Sequence, residues 1–181
     1  MDPKQAIRLS KLLSRHLRHT PAAIGLTLQE GGWVGVAELL TASAKHGIRI
    51  NREQLEELVT GSDKQRFAFD AAGERIRAQQ GHSVPVDLQL TPVEPPVVLY
   101  HGTAPAALPA IRREGLQKMK RHHVHLSPDQ EMARRVGARR GRPVLLVIDA
   151  KALYEAGGVF CQSGNGVWLV EHVPPQYLSE L

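Results

Sequence analysis

The chain has 181 residues, 42% of them hydrophobic and 23% charged, with a formal net charge of +5 and one cysteine. That length holds one large domain or two small ones, and no apolar run approaches the roughly 20 residues of a membrane-spanning helix. Met1-Asp2-Pro3-Lys4 lacks a secretory apolar stretch, Cys161 alone excludes an internal disulfide or a cysteine-built zinc site, and an aromatic content of 4% argues against a base-stacking platform, leaving a cytoplasmic protein with an anionic partner as the expectation.

The first helix is announced by Asp2 as N-cap and Pro3 at the first helical position. Ala6, Leu9, Leu12, Leu13 and Leu17 then share one face, joined by His16 as a core histidine, and Thr20-Pro21 ends the run. A second helix is expected from about Gly35 to Lys45, with Leu39 and Leu40 buried and Gly47 beyond its end. A third starts at Asn51, where Gln54 has near capping-box spacing and Ile50 with Leu55 can form a hydrophobic staple. Arg66-Phe67-Ala68-Phe69 and Arg75-Ile76-Arg77-Ala78 flank a Gly-containing turn and read as a hairpin. Three helices followed by a hairpin is the plan of a winged helix.

Four prolines between Val84 and Pro96 mark a linker, which divides the chain into residues 1–84, a linker 85–96, and residues 97–181. Beyond it, Val97–Tyr100, Val124–Ser127, Val144–Ile148 and Val167–Val170 read as strands. Pro105–Glu114 and Glu131–Val136 read as helices. Short strands with helices among them indicate an α+β unit, and the absence of Gly-x-Gly-x-x-Gly and Walker A patterns removes dinucleotide-fold and P-loop readings. The positive charge is concentrated: residues 112–142 hold ten Lys or Arg against three acids, leaving −2 for the rest of the chain. Such a segment is the electrostatic footprint of a phosphate-bearing ligand, or else a solvated surface.

Several residues carry polar chemistry, each with a plain alternative. Arg18 closes the first helix opposite its leucine face, where the helix dipole alone favours a cation by about 0.3–1 kcal/mol. Arg66 faces out if Phe67 faces in, as an ordinary strand arginine would. His101-Gly102-Thr103 follows an apolar strand, and its glycine permits close backbone approach to a ligand. His123 and His125 share a strand face, which raises a His-x-His metal pair, yet no third ligand is evident and no metal is expected. The glycines around residues 157–158 and 164–166 suit a loop folded over a flat ligand or a plain β-turn.

Taken together, these segments resemble the NAD-dependent RNA 2′-phosphotransferases. The resemblance rests on Leu9–Ser14 with Leu17-Arg18-His19, Gly32-Trp33-Val34, Asp63–Phe67, Ile76–Ala78 and Gln80-Gly81-His82-Ser83. It continues through Leu99–Thr103, Arg121–Ser127, Val136-Gly137 with Arg139, and Asn165–Leu169, in order over nearly the whole chain. It implies an N-terminal winged-helix lobe that binds RNA, a C-terminal ADP-ribosyltransferase-like lobe that binds NAD, and an active site in the cleft between them. It also implies a reaction. An internal RNA 2′-phosphate is ADP-ribosylated by NAD⁺ with loss of nicotinamide, and transesterification then yields 2′-hydroxyl RNA and ADP-ribose 1″,2″-cyclic phosphate. NAD is consumed as co-substrate.

By the same resemblance the catalytic set is Arg18, His19, Arg66 and Arg121, three arginines clamping the phosphate while His19 orients it or moves a proton. The NAD side falls to His101, Gly102 and Thr103, with His125 and Val167 standing where many ADP-ribosyltransferases carry Tyr and Glu; Ser127, Gly137 and Arg139 complete it. A missing Glu points away from protein modification. The family's familiar role makes a tRNA-like RNA one expected partner, acted on by a monomer without a membrane. The competing readings are ADP-ribosylation of phosphorylated nucleic-acid ends without the second step, and a non-catalytic winged-helix nucleic-acid binder.

Overall fold

The structure, a computed structural model, describes residues 1–62, 64–138 and 141–181. The chain is α+β and divides into two compact units, Met1–Gln89 and Leu90–Leu181, the division falling inside the proline-rich stretch.

In the first unit, α1 (Pro3–Arg18) begins where Asp2 caps it, its carboxylate accepting the backbone N–H groups of Lys4 and Gln5 at 2.9 and 3.0 Å. Such a cap stabilises a helix by about 1 kcal/mol. Its leucine face delivers Leu9, Leu13 and Leu17 to the core, with His16 buried beside them. Strand β1 (Trp33–Gly35) leads directly into α2 (Val36–Lys45), and α3 (Arg52–Thr60) follows. The third helix starts with a full capping box: Asn51 Oδ1 accepts from Gln54 N–H at 2.8 Å and Gln54 Oε1 from Asn51 N–H at 3.1 Å. Strands β2 (Phe67–Phe69) and β3 (Arg75–Ala78) form the expected hairpin, and β1 adds to its other edge in the antiparallel order β1-β3-β2.

Strand alternation sorts this sheet cleanly. Val34, Phe67, Ile76 and Ala78 point into a core shared with Leu9, Leu39 and Leu55. Trp33, Arg75 and Arg77 take the other face, where the two guanidinium carbons lie 5.4 and 4.6 Å from the indole. Leu40, expected in the core, is only partly buried, because Leu39 already occupies the inward position of that turn.

In the second unit, β4 (Val98–Thr103) runs on through His101-Gly102-Thr103 instead of stopping at Tyr100. It pairs with β7 (Val144–Asp149), which also pairs with β11 (Leu178–Glu180). A second sheet orders β6 (Val124–Leu126), β9 (Trp168–Val170) and β8 (Phe160–Gln162), and a two-stranded ribbon joins β5 (Leu116–Gln117) to β10 (His172–Val173). Every one of these pairings is antiparallel. Three helices, α4 (Leu108–Glu114), α5 (Gln130–Gly137) and α6 (Ala150–Glu155), accompany the strands.

The proline-rich stretch is anchored at both ends. Leu88 is buried in the first unit, where the Asp87 carbonyl accepts Gly31 N–H at 2.8 Å; in the second, Val93 N–H donates to the Phe160 carbonyl at 2.8 Å. No helix among the described residues is long and apolar enough to cross a membrane.

Candidate active site

Three of the four residues assigned to phosphate chemistry meet in the first unit. Arg18 is the last residue of α1 and His19 is its C-cap. Arg66 stands just before β2, where it is half-buried and not fully turned to solvent as strand alternation suggested. The Arg18 guanidinium donates to the Arg66 carbonyl at 3.5 Å, and Gln79 N–H donates to that same carbonyl at 3.0 Å. All three side chains line one groove of about 540 Å³ between the exposed flank of α1 and the loop after α3.

The geometry adds a residue whose role sequence reasoning missed. Ser83 N–H donates to the Arg18 carbonyl at 2.9 Å, and the Ser83 hydroxyl hydrogen-bonds His19 Nδ1, also at 2.9 Å. Ser83 therefore fixes the end of α1 and the His19 ring together. Its neighbour His82 is buried next to Gly32, at which an added Cβ would sit 3.4 Å from His82 Nε2. The Gln80–Ser83 motif was visible in the sequence; its role was not, because nothing local links Ser83 to a helix end 64 residues away.

In the second unit the assigned residues form a chain of hydrogen bonds. The Arg121 guanidinium donates to His125 Nδ1 at 3.1 Å. His101 Nδ1 donates to the His125 backbone carbonyl at 2.9 Å, which leaves Nε2 of the neutral ring as an acceptor. Burial holds the His101 imidazole below its ordinary value, the hydrogen bond to His125 opposes that shift, and the positive charge of Arg121 adds to it. Ser127 is locked to β4 by paired bonds with Tyr100, each at 2.8 Å, so β4 and β6 are held in register where His101 and His125 lie.

The glycines have a packing reason. A Cβ on Gly102 would fall 1.9 Å from the Ala133 carbonyl oxygen, and one on Gly137 would fall 2.9 Å from the Gly102 carbonyl carbon. Gly102 thus permits a close approach of β4 to α5. Val167 lies in the turn before β9, a turn closed by the buried Ser163 hydroxyl, which accepts Val167 N–H at 3.2 Å. Thr103 ends β4 opposite Val144. Arg139, expected on the NAD side, and Asp63, part of the Asp-Lys-Gln-Arg motif, lie outside the described residues.

Among the described residues no group of three or more His, Cys, Asp or Glu side chains is placed to hold a metal. His123 is held below the usual histidine range by burial first and then by the charges of His122 and Lys118, with Glu171 opposing.

Comparison with known proteins gives a consistent family. The model of the RNA 2'-phosphotransferase, Tpt1 / KptA family matches residues 4–172. Proteins bearing the name "Probable RNA 2'-phosphotransferase" are similar over almost the full length of both chains. One from Streptomyces griseus is 55% identical over 98% of each chain, one from Trichormus variabilis 56% over 98% of each, and one from Nostoc punctiforme 55% over 100% of each.

Proposed function

The chain belongs to the RNA 2'-phosphotransferase, Tpt1 / KptA family, and on that premise we propose that it removes an internal 2′-phosphate from RNA by transferring it to NAD⁺. The products are 2′-hydroxyl RNA, nicotinamide and ADP-ribose 1″,2″-cyclic phosphate, through an ADP-ribosylated 2′-phosphate and its transesterification. The observation that carries this reading is the convergence of Arg18, His19 and Arg66 on one groove, with Ser83 holding the histidine. A dianionic phosphate needs several fixed donors to be held in one orientation, and planar guanidiniums supply them in pairs. Charge that develops on phosphoryl oxygens in the second step is stabilised by the same donors without further reorganisation.

Residues 1–84 constitute a winged-helix lobe that binds the RNA. Residues 97–181 constitute an ADP-ribosyltransferase-like lobe that holds NAD⁺, joined by residues 85–96. Arg121 is assigned to the same phosphate chemistry by the family resemblance. Its bond to His125 ties it to the residues assigned to NAD, so one hydrogen-bonded chain serves both substrates. On the NAD side, His101, Thr103, His125, Ser127 and Val167 contribute contacts, and Gly102 and Gly137 contribute by bringing β4 against α5. A neutral His101 fits that assignment, because it does not repel a cationic nicotinamide ring. His19 orients the phosphate or moves a proton, as an imidazole near neutral pH does. The chain acts as a monomer without a metal.

Incubation with NAD⁺ and an oligoribonucleotide carrying one internal 2′-phosphate tests the reading. The expected outcome is 2′-hydroxyl RNA with one nicotinamide released per phosphate removed. A stable ADP-ribosyl group left on the RNA would convert the assignment to end or phosphate modification, and unchanged RNA would refute it.

A further inference from the structure

Helix α1 carries Lys4, Arg8, Lys11, Arg15 and Arg18, and no acid anywhere between Pro3 and Arg18. The spacings alternate four and three, so at 3.6 residues per turn all five cations stand on one face, opposite Leu9, Leu13 and Leu17. Lys4, Arg8, Lys11 and Arg15 are exposed, and among the described residues none of them forms an ion pair. Elsewhere several exposed cations have acidic neighbours, as in Arg52 with Glu56, Arg112 with Glu180 and Arg135 with Glu131. Like charges at i and i+4, here Lys4 with Arg8 and Lys11 with Arg15, oppose the helix that carries them. The row is therefore not explained by helix stability. Its C-terminal members, Lys11 and Arg15, share the groove with Ser10 and Ser14 and run straight to Arg18 and His19.

We propose that the Lys4–Arg8–Lys11–Arg15 row is a track for the RNA backbone, gripping the phosphodiesters that neighbour the 2′-phosphate held at Arg18. The dimensions suit several phosphates: Lys11 to Arg18 is about 10 Å along the helix axis and Lys4 to Arg18 about 21 Å. The Ser10 and Ser14 hydroxyls add short donors and acceptors that sugar hydroxyls and phosphate oxygens use. Such a track makes the enzyme prefer longer RNA over a minimal substrate and reads no base sequence. This inference rests on the proposed 2′-phosphotransferase activity.

The test compares the parent chain, the double variant Lys11→Gln/Arg15→Gln, and the control Lys151→Gln on α6. Binding of a 2′-phosphorylated 12-mer RNA is measured from 50 to 200 mM salt without NAD⁺, and KM is measured on that 12-mer and on a 2′-phosphorylated trinucleotide. The double variant is expected to lose about 1.4 from the slope of log affinity against log salt, at about 0.7 per single-strand phosphate contact. Its preference for the 12-mer over the trinucleotide is expected to fall on the order of tenfold, since a lost phosphate contact weakens binding whatever the sequence. The control keeps the parental slope and preference. Removing a like-charge pair leaves the melting temperature at or above the parent's, so unfolding does not mimic the result. A parental slope and length preference in the double variant would overturn the track. Failure of the parent to dephosphorylate either RNA would instead overturn the activity, and the binding slope would still decide the track.

Discussion

The two units hold positive charge in different ways. Between residues 112 and 142 the chain is densely basic, yet Arg112, Arg113, Lys118 and Arg135 are each matched to a carboxylate: Glu180, Glu114, Glu171 and Glu131. Two of those acids lie far outside the segment, so counting charge along the sequence overstates the field of the folded surface. The first half is nearly balanced in composition, but its acids sit elsewhere than on α1, where Lys4, Arg8, Lys11 and Arg15 form no ion pair among the described residues and lead toward the candidate phosphate site. The candidate residues differ in the same sense. In the first unit they project from a helix end and a loop into an open groove. In the second they are fastened to strands by backbone bonds, and the close packing of Gly102 on α5 leaves that frame little slack.

If the first unit supplies the anion clamp, Arg66→Ala removes one fixed donor from it. Loss of a comparable donor costs about 100- to 1,000-fold in turnover. The expected outcome is that loss in kcat/KM on 2′-phosphorylated RNA with the melting temperature unchanged, since Arg66 is not part of the apolar core. Full activity would break the assignment of the clamp to this groove.

If the second unit is the tightly packed frame, Gly102→Ala answers in stability. The added Cβ collides with the backbone oxygen of Ala133, which has no side-chain freedom with which to yield. A destabilisation of about 3 kcal/mol, the upper end of overpacking, is expected in urea unfolding. A neutral effect would show that β4 and α5 separate easily.

Ser83→Ala probes positioning. Loss of one hydrogen bond of about 1 kcal/mol corresponds to roughly a fivefold fall in kcat/KM. Because the bond is to His19 Nδ1, the pH profile of kcat is expected to shift as well, and Ser83→Thr is expected to restore it. A drop in stability without a shifted profile would make Ser83 merely structural.

The smallest effect concerns acid. His101 is held below its ordinary value in the folded chain, so the unfolded chain takes up its proton first as pH falls. Its contribution to stability is complete at neutral pH and shrinks as pH drops through the unfolded value of about 6.5 toward the lower folded one. Melting temperatures between pH 5 and 8 are expected to fall less steeply toward acid for His101→Asn, whose amide still offers a donor to the His125 carbonyl. Identical slopes would remove His101 from the acid response.

Much of the architecture is legible in single residues. Asp2-Pro3 opens α1, Asn51 and Gln54 close their capping box, and the Phe67 and Ile76 runs pair as a hairpin, because caps, periodicity and turns are local physics. Strands β1, β5, β8, β10 and β11 escape such a reading. Each has two or three residues and sits in no longer apolar run or hairpin pattern of the kind that marks β2, β6 and β9, so it exists through the partner it finds in space.

The candidate site divides along the same line. Arg18, His19, Arg66 and Arg121 were nominated by the family resemblance that the ordered motifs carry, since each residue alone has a plain local explanation. The fold supplies the rest. It half-buries Arg66, sets Ser83 against His19 across 64 positions, ties Arg121 to His125, turns Gly102 toward α5, and pairs Arg112 and Lys118 of the basic segment with distant acids. Caps, turns and helical faces depend on neighbours a few positions away. Hydrogen-bond partners, backbone clearance and the net charge of a surface depend on which distant segments are brought within a few ångströms.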